Sequence, residues 1–183
     1  IGNVFQQFYS MADTIIVGKF VGNSALAAVG ACGTLMVLIL GFLIGMTAGF
    51  TVVTAQHYGA GNQTAMRKSV ASAMLLSAVV SVLFTVLGML MMKNVLRWMN
   101  TPKDMFGQAY GYIMVICGGI AAQVLYNLLA SVLRAVGDSK RPLYFLCLSA
   151  VLNVILDLLF IIVFHMGAKG AAYATVISQG ISG

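Results

Sequence analysis

Long apolar runs separated by short polar breaks set the pattern of this chain. The breaks fall at 20–23, 57–68, 93–108, 134–142 and 165–169. Between them lie six apolar segments: one ending at about Val21, then about 29–56, 66–92, 106–133 and 143–165, and a last one from about residue 170. Each complete segment is about 20 residues or longer, enough for a helix to cross ~30 Å of hydrocarbon. Length and the lack of strict alternation argue for helices and against a membrane β-barrel. The first segment has no initiating Met and the sixth stops about 14 residues in, at Ile181, Ser182 and Gly183, so both are expected to be incomplete.

Composition agrees with the pattern. Of 183 residues 61% are hydrophobic and only 8% charged, with a mean hydropathy of +0.99, where a soluble domain carries roughly 25% charge. The expectation is an all-α, polytopic membrane protein built as a six-helix bundle. No basic stretch precedes a short apolar core with a cleavage site, so no signal peptide is expected.

The net charge of +6 does not point to nucleic acid, because the basic residues are scattered through short loops and never interleave with aromatics on a polar face. They flank the membrane. Arg67, Lys68, Arg134, Lys140 and Arg141 fall on one side, and Lys19, Lys93, Arg97, Lys103 and Lys169 on the other. The positive-inside rule therefore ties and leaves orientation open. Cys32, Cys117 and Cys147 stand singly in apolar runs and read as packing residues. His57 and His165 read as interfacial residues without a second ligand at metal spacing, and neither a metal centre nor a cofactor is expected.

Four acids remain. Asp104 and Asp138 sit in loops, where solvated or turn-forming roles suffice. Asp13 and Asp157 lie inside apolar runs, each eight residues before its helix end, at Val21 and His165, or about 12 Å below the same membrane boundary. An aspartate near a helix centre costs roughly 2.5–3.5 kcal/mol on insertion scales, so both should face a shared interior rather than lipid. Asn153 is one turn from Asp157 and Gln6 two turns from Asp13, on the same faces. Tyr112 and Thr175, on helices running the opposite way, lie about 9 Å deep, close to that level. For these four, interhelical hydrogen bonding and ligand contact both remain open. Asn127 lies near the far end of its helix, away from that level. Gly41, Gly45 and Gly49, four apart in GFLIGMTAG, form a small-residue stripe expected to serve helix packing.

YSMADTIIVGKFVGNSALAAVG resembles the first helix and following loop of multidrug and toxic compound extrusion (MATE) transporters. QHYGAGN, LRAVGDSKRP, LNVILD and GAKGAAYATVIS match further motifs of that family in order, over essentially the whole chain. The resemblance implies that residues 1–183 are the N-terminal lobe of a twelve-helix transporter, with the C-terminal lobe absent from this chain. It implies a multi-pass protein of the cell membrane, in bacteria the inner (plasma) membrane, that exports cationic amphiphilic drugs or metabolites by alternating access in exchange for H⁺ or Na⁺. It places ion coupling at Asp13, Asn153 and Asp157, and the substrate cavity at Gln6, Tyr112 and Thr175. It also puts the carboxylate end of the lobe outside.

Two close carboxylates do not both ionise readily, which suits one of them to proton exchange. Na⁺ held by Asp13, Asn153 and Asp157 is the alternative, and the proton is favoured because it needs only a titratable acid. Two other functions compete with cation export. An intramembrane aspartyl protease also uses two membrane Asp residues, but its Gly-x-Gly-Asp motif is missing here. A lipid-linked oligosaccharide flippase of the same wider superfamily would be expected to line its cavity with cations, whereas the Lys and Arg residues here lie at segment ends.

Overall fold

The computed structural model describes Met11 and residues 14–182. Gln6 and Asp13, two of the expected site residues, lie outside them. The described part of the first helix is 14–20 (α1). It is followed by α2 (Asn23–Gly59), α3 (Gln63–Trp98), α4 (Lys103–Gly118), α5 (Ile120–Ala135), α6 (Lys140–Leu158), a π-helical continuation (Leu159–Val163) and α7 (Ala168–Ser182). The five breaks fall where the polar residues put them. Asn62 accepts the Ala65 N–H at 3.0 Å to start α3. Asp138 accepts the N–H groups of Lys140 and Arg141 at 3.2 and 3.1 Å and pairs with the Arg141 side chain, so its turn-forming role holds. Gly137 precedes it at φ 89°, a conformation few other residues adopt freely.

Helices α2 and α3 are 37 and 36 residues long, about 55 Å each, so they extend well past the hydrocarbon into their polar ends. Among the described residues, three spans are long and apolar enough to cross a membrane: Ala25–Gly59, Gln63–Trp98 and Lys140–Val163. A fourth is made by α4 and α5 together, bent by 49°. The single helix expected at 106–133 is therefore two limbs. The cause is local. Gly118 and Gly119 occupy the joint, and Thr85 of α3 donates its hydroxyl to the Cys117 carbonyl at 3.1 Å just before it. A glycine pair and a side chain engaging the helix carbonyls are both recognised sources of a kink.

Large apolar side chains such as Val37, Leu38, Leu75, Leu90 and Val151 are exposed on the outside of the bundle, where a membrane supplies lipid instead of water. The interior mixes large side chains such as Leu96, Ile113 and Ile120 with small residues including Ala25, Ala28, Cys32, Ala109, Ala171 and Ala172, which let helix backbones approach closely.

The glycine stripe of α2 does not contribute to that packing. Gly41, Gly45 and Gly49 are exposed, and a Cβ built on any of them meets nothing within 4 Å. Leu43 and Thr47 carry the buried face. Two residues correspond to about 200° around a helix, so the stripe points away from the bundle.

Close approach occurs at other glycines. A Cβ on Gly88 of α3 would lie 2.7 Å from Cys117 Sγ. Gly88→Ala is expected to lower the thermal unfolding temperature despite its better helix propensity, because overpacking typically costs about 1–3 kcal/mol against about 1 gained. Adding Cys117→Ala should recover most of the loss. Thermal unfolding of the purified single and double variants checks both, and a stabilised Gly88→Ala protein would contradict the packing described.

Candidate functional site

Helix α6 is built inside out. Its buried residues are Pro142, Ser149, Asn153 and Asp157, which share one face, while Leu148, Val151 and Ile155 point outward. The polar residues thus face the interior and the apolar ones face lipid, the reverse of a helix in water. Among the described residues, Asp157 is the charged side chain that is buried, and it is fully so. Its expected orientation away from lipid holds.

Helix α7 packs antiparallel against α6 and supplies Thr175, Ser178 and Ser182 as buried polar residues. Asn153 joins the two helices. With Nδ2 toward α7, it would donate to the Thr175 hydroxyl at 3.4 Å. In the reversed amide orientation, Nδ2 donates to Asp157 Oδ2 at 3.3 Å and Oδ1 accepts the Thr175 N–H at 3.2 Å. The reversed orientation satisfies both ends of the amide and is the one assigned from the network. Asn153 then bridges the carboxylate to the backbone of α7.

The structure therefore brings together Asp157, Asn153 and Thr175 from separate positions in the sequence. Tyr112 is buried on α4, which packs on α7. Ser149 was not singled out from the sequence, although it is one turn before Asn153 and readable by the same i, i+4 rule. Ser178 was missed as well; its hydroxyl donates to the Thr175 carbonyl at 3.0 Å. Gln123 on α5 is buried too, and its flanking sequence gave no sign of that. Among the described residues, no group of three or more His, Cys, Asp or Glu could hold a metal ion.

A carboxylate this deep needs a compensating partner, a proton or a cation, because an isolated charge out of water is very costly. An amide donates to it and a hydroxyl lies nearby, and no nucleophile or second acid among the described residues is arranged for covalent chemistry. The MatE family model matches residues 1–159. The chain belongs to the MatE family. It is 34% identical to the probable multidrug resistance protein YpnP of Bacillus subtilis, covering 100% of this chain and 41% of that protein. Two solved structures of a multidrug resistance MATE family transporter of the MOP superfamily are also similar, each at 28% identity. The outward-facing conformation matches with a TM-score of 0.93, covering 99% of this chain and 40% of that one. The inward-facing conformation matches with a TM-score of 0.91, covering 97% and 40%. The chain thus spans about 40% of the length of these MatE relatives and corresponds to one lobe of such a transporter. MatE proteins are multi-pass membrane transporters rather than enzymes, which removes the protease reading.

Proposed function

We propose that this chain is the N-terminal lobe of a secondary active antiporter of the bacterial plasma membrane. With a C-terminal lobe of the same full-length protein it exports small cationic, amphiphilic compounds by alternating access, and Asp157 exchanges the coupling ion. The observation that carries this reading is a fully buried Asp157 bridged by Asn153 to α7 inside a membrane bundle. Asp13 completes the ion site in this reading, with Gln6, Tyr112 and Thr175 lining the substrate cavity. An ionised carboxylate in a low-dielectric interior attracts a lipophilic cation, and protonation cancels that attraction. The similar match of the lobe to outward- and inward-facing relatives supports movement of the lobe largely as a unit, as hinge or rocking mechanisms require.

The proton is favoured over sodium because proton exchange needs only a titratable acid, whereas sodium needs several converging oxygens. Efflux of a fluorescent organic cation from proteoliposomes containing the full-length protein is the test, with pH and Na⁺ gradients imposed separately. Transport is expected in Na⁺-free medium with an acidic exterior, and a protonophore should collapse it. Transport that requires Na⁺ and survives the protonophore would overturn the proton assignment. The flippase alternative is less well supported, since the described Lys and Arg residues lie near helix ends and none is buried.

A further inference from the structure

Away from Asp157, a cleft of about 240 Å³ opens between α3 and α5. Met74 and Ala78 of α3 and Ala121, Leu125 and Leu128 of α5 form its apolar walls, and Ser77 lies in its lining. Ser77 is fourteen residues into α3, about 21 Å from the helix start, which is membrane depth rather than interface. Met74 and Leu125 are exposed, so the cleft is reached from the apolar surroundings of the bundle.

The serine hydroxyl is the unusual element. Four other buried hydroxyls among the described residues return to carbonyls of their own helix: Thr47 to Ile44, Thr54 to Phe50, Ser81 to Ala78 and Ser182 to Ser178. That habit is the usual way for a helix in an apolar medium to satisfy a hydroxyl. Ser77 departs from it. Only 2% of the residue is exposed, and its Oγ has no hydrogen-bond partner among the described residues. A hydroxyl left unpaired in apolar surroundings is costly; a rotamer that turns Ser77 Oγ into the cleft would let a guest carrying one hydrogen-bonding group relieve that cost.

Volume narrows the guest. The cleft is smaller than the roughly 300–1,000 Å³ of drug-sized pockets, yet an apolar cavity of about 150 Å³ already holds benzene. We infer that the α3–α5 cleft is a binding site for small lipophilic alcohols, aliphatic or phenolic, whose hydroxyl pairs with Ser77 while the hydrocarbon lies along Met74, Leu125 and Leu128. The site is distinct from the ion and substrate site and does not depend on the transport reading. Because Ala121 is two residues past Gly119, an occupant rests against α5 beside the bend of the α4–α5 span.

The test uses the full-length protein in lipid nanodiscs and an octanol bearing a photoreactive diazirine, with adducts mapped by mass spectrometry. Saturable labelling is expected within 74–81 and 121–128, competed by octanol and not by octane. Ser77→Ala should raise the half-saturating concentration about fivefold, the loss of one modest hydrogen bond, and erase the preference for octanol over octane. Ala121→Phe should abolish labelling by filling the cleft, and Ala78→Phe gives the same test from the opposite wall. Labelling that does not saturate, or that spreads evenly over exposed residues such as Val37 and Leu90, would mean that lipid chains occupy the cleft and would overturn the inference. Labelling unchanged in both filled variants would overturn it too.

Discussion

Asp157→Asn in the full-length protein is expected to reduce gradient-driven cation efflux to the level of protein-free liposomes, with expression and thermal stability close to wild type. The substitution keeps a side chain of nearly the same shape at a position fully enclosed by the bundle, so packing is preserved. It removes the charge and the titration. Asn153 still has an acceptor there, because the oxygen of the new amide can take the place of Asp157 Oδ2. Folding and transport should therefore separate, which distinguishes an ion-coupling residue from one that locks helices together. Wild-type efflux by the variant would reduce Asp157 to a structural role, whereas loss of both efflux and folded protein would point to the helix-locking role alone.

The second large effect is expected at the bend. A Cβ on Gly119 would lie 2.9 Å from Val176 Cβ and closer still to both of its methyl carbons. Valine has little rotamer freedom in a helix, so the overlap cannot be relieved by swinging a flexible chain end, and α7 must move. Overpacking of this kind costs about 1–3 kcal/mol, occasionally more. The gain in helix propensity from Gly to Ala is about 1 kcal/mol, so the net change is destabilising. Thr175, adjacent to Val176, is carried with α7. Gly119→Ala should therefore lower both the unfolding temperature and the efflux rate, and Val176→Ala in the same protein should restore both. A Gly119→Ala variant with normal stability would contradict the close packing of α5 on α7.

The helices and their breaks were legible because the cost of polar groups in hydrocarbon writes them plainly into the sequence. Asp157, Asn153 and Thr175 could be found for the same reason: depth counted from the helix ends put Asp157 and Thr175 close to one level, one-turn spacing put Asn153 on the Asp157 face, and the fold joins them through the Asn153 amide. The direction each helix faces was harder to read. Lipid and protein interior are both apolar, so the 3.6-residue pattern that orients a helix in water is weak here. The stripe of Gly41, Gly45 and Gly49 looked like a packing seam and proved to be the outer face of α2. The bend depended on two glycines and a hydroxyl from a distant helix, Thr85, which no local window contains. The π-helical stretch is Leu159, Phe160, Ile161, Ile162 and Val163, an apolar run with nothing to distinguish it from an ordinary helix.

That stretch has a consequence for how the lobe tolerates insertions and deletions. In the π segment the Phe164 N–H reaches the Leu159 carbonyl at 3.2 Å, five residues back instead of four, so the helix carries what amounts to one inserted residue immediately beyond Asp157. Removing a single codon in this region would heal the backbone into a continuous α-helix rather than break it. The outer end would keep its direction relative to the carboxylate, because the π turn spreads five residues over about the rotation that an α-helix gives to four. Phe160, whose Cβ is 3.1 Å from where a Cβ on Gly170 would sit, lies in the stretch that would be rewound. A single deletion here would leave the connection through His165 and Gly167 on the same side of the helix, whereas a deletion in the regular part of α6 would rotate everything beyond it by about 100°.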